Sequence, residues 1–496
     1  MILETVCQRT DTFISQMPKE QRKRYGQFFT SMATARFMAS LLTLDSDADA
    51  VNALDAGAGS GILSAALAER MDTLLRHGQT LRIVCYENDE NILPLLRENL
   101  ETVCRECRSH IEYEIRTDNY ILSQADAIGG DSLFSETPEQ YDIVIGNPPY
   151  RKVPKDAPEA KLLGEVCYGA PNLYFLFATM SLKNLHDGGE MVYIIPRSWT
   201  SGAYFTKFRQ YLFTHATLEY IHLFASRDKV FDKESVLQET MIVRLRKGMH
   251  EQPYVTISTT ATSRDFSSLE SMSVPSDVVV AGPSRYVYLP TSKHDTEVLR
   301  TICGMTHTLA DAGLRMKTGL VVDFRSRDLL RDTADTDTVP LIYSCHIRNG
   351  QVSFPQGRAA EYIVGRSGLT QPNRNYLFVK RFTAKEERRR LQCGVYLNRF
   401  LPDCKRISSQ NKVNFIDSTD GAMSEETAYG LYAIFNSPLY DTYYRILNGS
   451  TQVNASEINA MPVPSADEIK TMGRQLMHDG DFSEQHCESI IMNHIH

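Results

Sequence analysis

Short apolar runs alternate with segments of helical periodicity between residue 51 and about residue 250. The strand-like runs are 51–56, 81–87, 111–117, 141–146, 190–196, 218–224 and 239–246, and helix-like segments follow the first two runs and cover residues 172–185 and 204–213. Strands that alternate with helices are typical of βαβ units, in which helices cover a parallel sheet. The pattern therefore predicts a doubly wound α/β domain with a mostly parallel sheet over residues 1–250.

The composition and the periodicity of the sequence change after this region. Residues 258–284 hold eight serines, three threonines and two prolines with little periodicity. Such a composition is typical of a linker. We therefore expect a linker or crossing segment over residues 251–300, followed by a separate α+β domain over residues 301–496, where the βαβ rhythm is lost.

Composition and charge narrow the class of protein. The chain has 496 residues, with 53 basic against 61 acidic side chains and a net charge of −8. This balance excludes a protein that coats nucleic acid through bulk positive charge. The charge is uneven, however, because residues 366–412 hold 12 lysines and arginines against 3 acidic residues. Within that basic segment, Lys380 and Arg381 are the candidate phosphate contacts.

Other sequence features argue against a membrane-spanning segment, disulfide bonds and a metal site. No stretch reaches the roughly 18 apolar residues of a membrane span. The ten cysteines are scattered, and Cys104 and Cys107, the one Cys-x-x-Cys pair, lack a second pair or histidines at ligand spacing. We expect a cytoplasmic protein with reduced thiols, no membrane segment and no metal site.

A glycine-rich turn and two acidic residues follow three successive strands. The turn is LDAGAGSG, with Asp55, Gly57, Gly59 and Gly61, and a turn of this kind can present backbone amides to a ligand at a helix N-terminus. A purely structural turn would look the same. Glu87, at the end of the next strand, can accept hydrogen bonds from both hydroxyls of a ribose. Asp118, Glu87 and Asp55 together outline a nucleoside-shaped pocket at the carboxyl edge of the sheet.

The sequence Asn147-Pro148-Pro149-Tyr150 directly follows the apolar strand 141–146. The two prolines fix the backbone and supply no amide hydrogens, so the loop presents carbonyl oxygens. The side-chain oxygen of Asn147 and the carbonyl of Pro148 can each accept one hydrogen of a planar amino group, while Tyr150 stacks on the ring that carries it. A structural Pro-Pro turn would explain neither the asparagine nor the tyrosine.

The order of these motifs resembles that of class I S-adenosylmethionine-dependent methyltransferases that modify adenine N6 in DNA. The segment from Tyr25 to Thr30 looks like the motif that the TaqI-like gamma group places before the glycine turn, where it closes over the cofactor. The second half is similar to target-recognition regions of modification methylases of the PstI and BsuBI type, over residues 378–391, 435–454 and 459–464. The family commonly has an aromatic residue after the adenine-contacting Asp, whereas Asn119 follows Asp118 here and the aromatic residue is Tyr120.

The resemblance implies a Rossmann-like catalytic domain, S-adenosylmethionine as cofactor and a C-terminal domain that recognises the target. It implies that Asn147, Pro148, Pro149 and Tyr150 are catalytic and that Tyr150 and Phe231 stack on a flipped adenine. The implied cofactor-binding residues are Tyr25, Gln27, Phe29, Thr30, Asp55, Ala56, Gly57, Gly59, Gly61, Glu87, Asn88, Asp118 and Asn119. It also implies a short double-stranded DNA site and a cognate restriction endonuclease that spares methylated sites. We further expect a monomer.

Three alternatives stay open on the sequence. One is a sequence-specific DNA-binding component of a defence complex with an inactive methylase domain. The intact motifs argue against such a loss of activity. Another is a protein glutamine-N5 methyltransferase, whose substrate amide is also planar, but such enzymes are short. The third is a fused restriction nuclease, for which neither half shows a convincing motif. A site-specific adenine-N6 DNA methyltransferase is the preferred interpretation.

Overall fold

The computed structural model describes residues 2–16, 29–43, 48–128, 139–224, 240–263, 265–384, 387–448 and 451–495. Tyr25, Gln27 and Phe231 lie outside these ranges. The chain folds as two units, one of Met1–Thr200 with Tyr204–Thr291 and the other of Ser201–Ala203 with Ser292–His496.

Strands β1 to β9 of the first unit form one sheet in the order β3-β2-β1-β4-β5-β7-β6-β8-β9. The strands are β1 Ala50–Ala56, β2 Thr80–Tyr86, β3 His110–Arg116, β4 Tyr141–Gly146, β5 Leu185–Pro196, β6 Ala216–Phe224, β7 Thr240–Lys247, β8 Tyr254–Thr260 and β9 Glu270–Pro275. The first five in this order are parallel, and β7 is antiparallel to both of its neighbours. The predicted doubly wound, mostly parallel α/β sheet is therefore confirmed.

The helices of this unit connect or flank the strands. They are α1 Ile2–Gln16, α2 Met32–Ser40, α3 Ile62–Leu74, α4 Leu93–Glu106, α5 Ala125–Ile128, α6 Pro158–Leu162, α7 Leu173–Lys183, α8 Thr206–His215 and the short α9 Ser276–Val279, which is followed by the small hairpin β10 Val280–Ala281 and β11 Tyr286–Val287. The strand order reverses between β1 and β4, and ligands of doubly wound sheets bind beyond the carboxyl ends of the strands at such a switch point.

The predicted linker over residues 251–300 differs from the structure, because β8 and β9 extend the sheet there and the first unit continues to Thr291. Val255 and Ile257 of β8 are buried, and so are Ser258 and Thr260. The two buried hydroxyls bond the ring nitrogens of His222 on β6, at 2.8 and 3.1 Å. A serine- and threonine-rich segment can therefore be a buried strand when its hydroxyls find partners.

The second unit is α+β, as the sequence predicts. A six-stranded sheet has the order β12-β22-β19-β20-β16-β15 and a five-stranded sheet the order β13-β17-β14-β21-β18. Their strands are β12 Leu314–Thr318, β13 Leu330–Arg331, β14 Thr338–Ile342, β15 Ile347–Arg348, β16 Gln351–Val352, β17 Tyr362–Val364, β18 Gln371–Pro372, β19 Tyr376–Lys380, β20 Cys393–Tyr396, β21 Arg406–Ser409 and β22 Val413–Ser418.

The described part of the second unit also contains the α-helices α10 Lys293–Cys303, α11 Glu425–Asn436, α12 Pro438–Leu447, α13 Ala455–Asn459, α14 Ala466–Asp479 and α15 Glu484–His494. Helices α11 and α14 pack at very short distance. A Cβ on Gly430 would overlap the carbonyl oxygen of Ile469, and one on Gly473 would overlap that of Glu426. The two glycines therefore set this helix spacing.

Within the ranges that the structure describes, no helix is long and apolar enough to cross a membrane. The ten cysteines all lie in described ranges, and the structure shows no disulfide bond among them.

Candidate active site

A cleft of about 1090 Å³, including its open mouth, lies beyond the carboxyl ends of β1, β2, β3 and β4. The predicted cofactor and catalytic residues that line it are Phe29, Thr30, Gly57, Gly59, Glu87, Asn88, Asp118, Asn119, Asn147 and Pro149. Asp55, Ala56, Gly61, Pro148 and Tyr150 do not line it. The sheet thus brings together residues that lie up to 120 positions apart in the chain.

The glycine turn is anchored on the neighbouring strand. The amides of Gly57 and Ala58 both donate to the carbonyl of Tyr86 at 2.9 Å. Gly61, with φ 79°, begins helix α3, and a Cβ there would lie 2.9 Å from the Cδ1 atom of Leu96. The last glycine of the motif therefore serves helix packing, while the first two shape the wall of the cleft.

Glu87 is held by the backbone on both carboxylate oxygens. Oε2 accepts from the amide of Gly59 at 2.8 Å, and Oε1 accepts from the amide of Asp89 at 2.9 Å. The side chain is 8% exposed, and burial raises its pKa. Each oxygen keeps a second lone pair, so the carboxylate is oriented to accept hydrogen bonds from a diol in the cleft.

Asp55 lies behind the glycine turn and is fully buried. Its Oδ2 accepts from the Ser64 hydroxyl at 2.7 Å, and its Oδ1 has no hydrogen-bond partner among the residues that the structure describes. Burial raises the pKa of this carboxyl to about 7. Ala56 is also fully buried. These two residues therefore support the turn from behind.

An aromatic wall borders the cleft next to Asp118. The ring of Tyr120 lies 5.0 Å from that of Tyr86 and 5.4 Å from that of Phe177, and all three residues line the cleft. Asp118 is exposed at the cleft. The side chain of Asn119 accepts from the amides of Ile121 and Leu122 and donates to Glu159 at 2.8 Å.

The side-chain amide of Asn147 is held at both ends. Its Nδ2 donates to the hydroxyl of Thr30 at 3.2 Å, and its Oδ1 accepts from the hydroxyl of Tyr150 at 2.8 Å. The Tyr150 hydroxyl also lies 3.0 Å from the carbonyl oxygen of Ile194, and the residue is 9% exposed. The amide plane is thus fixed by a hydrogen bond at each end.

The Thr30 segment is in turn fixed by residues from the predicted linker. The hydroxyls of Ser31 and Thr34 both donate to the carbonyl of Ser263, at 3.3 and 3.1 Å. Phe37 of α2 stacks on Phe266 with ring centroids 4.4 Å apart.

The strand end before Asn147 needs a glycine, because a Cβ on Gly146 would lie 2.6 Å from the ring of Tyr193.

Sequence reasoning did not select several residues of the cleft. Among them are Ser60, Tyr86, Arg151, Glu159 and Phe177. Ser60 and Arg151 adjoin recognised motifs, and that adjacency is the signal that could have found them. Tyr86 and Phe177 read as ordinary core residues of a strand and a helix.

The cleft fits S-adenosylmethionine. Ser60 is 2% exposed and lines the cleft, and its hydroxyl has no partner in the part of the chain that the structure describes. The oriented Glu87 carboxylate suits a ribose, Asp118 suits an exocyclic amine, and the aromatic wall suits an adenine ring. Within the described ranges, no cluster of three or more His, Cys, Asp or Glu side chains is arranged to hold a metal ion.

The predicted phosphate contacts lie on the second unit, at the end of β19. The Lys380 ammonium donates to the Gln392 side chain at 2.8 Å, and the Arg381 guanidinium donates to the carbonyl of Asn411 at 2.9 Å. Both residues are half-buried. Of the basic run that follows, Arg388 is exposed and Arg390 is fully buried.

Comparison with known proteins places these features in a family. A family model described as "Eco57I restriction-modification methylase" matches residues 70–231. The chain is 34% identical over 485 residues to the type II methyltransferase M.BsuBI of Bacillus subtilis, covering 95% of this chain and 94% of that protein. It is 32% identical to the type II methyltransferase M.PstI of Providencia stuartii, covering 96% and 94%.

A solved structure supports the same fold. The type IIL restriction-modification enzyme MmeI in complex with DNA has a TM-score of 0.51 at 11% identity and covers 90% of this chain and 69% of that one. The two relatives that match the chain over nearly its whole length show that the protein belongs to the type II restriction-modification methyltransferases, which use S-adenosylmethionine.

Proposed function

We propose that this protein methylates the N6 amine of adenine at a specific site in double-stranded DNA. The observation that carries the proposal is the Asn147 amide, held by Thr30 and Tyr150 at the wall of the cofactor cleft. An acceptor oxygen fixed in this position suits a planar amino group. Asn147, Pro148, Pro149 and Tyr150 form the proposed catalytic loop.

The chemical demand on the loop follows from the substrate. The N6 lone pair of adenine is delocalised into the ring, so the amine is a weak nucleophile. Oδ1 of Asn147 and the carbonyl of Pro148 accept its two hydrogens, which favours a pyramidal nitrogen and stabilises the positive charge that grows there. The bound cofactor supplies an activated methyl group on a sulfonium. The remaining acceleration comes from alignment of the reacting atoms, and the proton leaves after transfer.

The target base has to leave the duplex to reach this loop. Rotation of a nucleotide out of the stack costs a few kcal/mol. Stacking of the base on an aromatic ring contributes about 1–3 kcal/mol and offsets part of this cost. We assign this stacking role to Tyr150 and Phe231. Tyr150 lies mostly buried with its hydroxyl on Asn147, so we propose that it orients the amide as well as contacting the base.

The remaining assignments divide the work between the two units. The first unit, which contains the cleft, carries out methyl transfer, and the second selects the DNA site through base and phosphate contacts. Lys380 and Arg381 are proposed phosphate contacts. As in a restriction-modification pair, methylation would protect the site from a cognate endonuclease, and we expect a monomer that acts in the cytoplasm.

The alternatives predict different results. A DNA-binding component with an inactive methylase domain would not bind S-adenosylmethionine, whereas the oriented Glu87 carboxylate, the Ser60 hydroxyl and the glycine turn favour cofactor binding. A glutamine methyltransferase would act on a protein amide and would not need a second unit of about 200 residues.

The direct test is Asn147→Ala, with Asn91→Ala on the exposed surface as a control. Loss of the acceptor should lower methyl transfer by about 10²- to 10³-fold, as for other preorganised polar groups in active sites. Affinity for S-adenosylmethionine and for DNA should change by less than about threefold. Methyl transfer at the wild-type rate in Asn147→Ala would refute the mechanism. Mapping of modified bases in host DNA with and without the gene would test both adenine N6 and the site.

A further inference from the structure

Strand order brings three loops of the second unit to one edge of the six-stranded sheet. β12 and β19 are both antiparallel to β22, which lies between them, so both end where β22 begins. Thr318 pairs with Asn414, and Lys380 pairs with Val413. The segments 319–325, 381–383 and 410–412 therefore meet, and we call them together the β22 edge.

Backbone hydrogen bonds hold the three segments together. The amide of Gly319 donates to the carbonyl of Val413 at 2.8 Å, and the amide of Asn411 donates to that of Val321 at 2.7 Å. A Cβ on Gly319 would overlap the carbonyl of Gln410, so only glycine permits this approach. On the other side, the amide and guanidinium of Arg381 donate to the carbonyls of Lys412 and Asn411 at 3.0 and 2.9 Å.

The β22 edge exposes aromatic rings beside cations. Phe324 is 66% exposed and Phe382 is 44% exposed. The guanidinium carbon of Arg325 lies 5.4 Å from the Phe324 ring centroid, and that of Arg381 lies 5.6 Å from the Phe382 centroid. Lys412 is also exposed. Large exposed apolar rings are costly in water, and an Arg beside each ring is typical of surfaces that bind nucleic acid.

Several other cations of the same unit form ion pairs with carboxylates. Elsewhere, Arg388 pairs with Glu484, Arg445 with Asp441, and Lys317 with Asp417. Among the residues that the structure describes, no carboxylate forms an ion pair with Arg325, Arg381 or Lys412.

The one carboxylate in the three segments offsets only part of this charge. Asp323 is half-buried, and its Oδ2 accepts from the Gln410 side chain at 3.3 Å. The edge therefore presents a net positive charge with two exposed rings, which calls for an anionic partner with apolar or π surfaces.

We propose that the β22 edge is a contact surface for double-stranded DNA, with Arg325, Arg381 and Lys412 on phosphates and with Phe324 and Phe382 against base edges in the groove. This inference rests on the proposed function and extends it to the segment around Phe324, which lies outside the basic segment 366–412. Cations that bind phosphate position the protein, whereas a ring that contacts a base edge, such as a thymine methyl, carries specificity.

The test uses the full-length protein and a short fluorescent duplex that carries the site mapped in host DNA, beside a scrambled duplex. Arg325→Ala and Lys412→Ala should weaken binding to both duplexes by about 3- to 10-fold. Each should lower the slope of log affinity against log salt by about 0.9. Phe324→Ala should weaken binding to the specific duplex by about 5- to 20-fold and leave the scrambled one within about twofold.

Matched controls come from the same unit. Phe400 is 39% exposed and follows β20, which ends at the opposite edge of the sheet, and Arg300 is exposed on α10. Phe400→Ala and Arg300→Ala should bind both duplexes like the wild type. The substituted side chains at the β22 edge are exposed, so thermal unfolding of the variants should match the wild type.

Two results would overturn the inference: wild-type affinity and salt slope in Arg325→Ala and Lys412→Ala, or wild-type discrimination between duplexes in Phe324→Ala. Either result leaves the proposed methyl transfer untouched. If instead the wild-type protein methylates no adenine, the proposed function fails, while titrations of Arg325→Ala and Lys412→Ala with the scrambled duplex still decide whether DNA contacts this edge.

Discussion

The hydrogen bond between Thr30 and Asn147 gives a sharp test of how the proposed catalytic amide is oriented. Thr30 is 7% exposed, and its hydroxyl accepts from Nδ2 of Asn147 at 3.2 Å. Thr30→Val keeps the shape of the side chain but replaces the acceptor with a methyl group. The amide can then rotate, and Oδ1 no longer faces the substrate in a fixed position.

The magnitude follows from the environment of the two groups. Loss of the partner of a buried donor costs about 1–3 kcal/mol, and the half-buried Asn147 belongs in the lower part of that range. A cost of about 1–2 kcal/mol in the transition state corresponds to roughly a 5- to 30-fold lower rate of methyl transfer. Thr30→Ser retains the hydroxyl and should stay within about threefold of the wild type.

The assay is single-turnover methylation at saturating cofactor and DNA, combined with direct titration of S-adenosylmethionine. Because Thr30 also lines the cleft, the titration separates cofactor contact from amide orientation. We expect the rate to fall while the cofactor Kd changes by less than about threefold. An unchanged rate in Thr30→Val, or an equal loss in Thr30→Ser, would show that the hydroxyl does not orient Asn147.

Three further predictions follow. Tyr150→Phe keeps the ring but removes the hydroxyl that donates to Asn147, so methyl transfer should fall by about 5- to 20-fold with DNA affinity within about twofold; a purely stacking role predicts no change. Gly473→Ala places a Cβ against the carbonyl of Glu426 and should lower the free energy of unfolding by about 3 kcal/mol or more in urea titrations, whereas Gly164→Ala, with open space around it, should stay within about 0.5 kcal/mol. The folded-state pKa of Asp55 is raised to about 7, so the native protein holds a proton there that the unfolded chain releases above about pH 4, and this contribution to stability is lost as the pH rises through about 7. Asp55→Asn stays neutral, so its Tm relative to the wild type should increase from pH 5 to pH 7 and then level off; a constant difference across this range would contradict the raised pKa.

The first unit contains a strand that the sequence pattern predicts correctly and a segment whose composition misleads. The predicted strand 141–146 is observed as Tyr141–Gly146, because an apolar run bounded by a glycine and two prolines leaves little choice of local structure. The linker predicted over residues 251–300 differs from the structure, which has strands β8 and β9 there. The serines and threonines of this segment suggested a linker, but His222 satisfies two of the hydroxyls from a strand more than 30 residues earlier in the chain. Local composition carries no information about such a distant partner.

The sequence by itself determined the class of fold, the glycine turn, the acidic strand ends and the proposed catalytic loop, because these depend on neighbours within a few residues. Only the tertiary structure decided how they are used. It placed Asp55 behind the turn, joined Thr30 to Asn147 across 117 positions, and brought Asp323 within hydrogen-bond distance of Gln410. The physical reason is that burial, the orientation of an amide and the charge of a surface are set by strand order and packing, and these bring together side chains that are far apart in the chain.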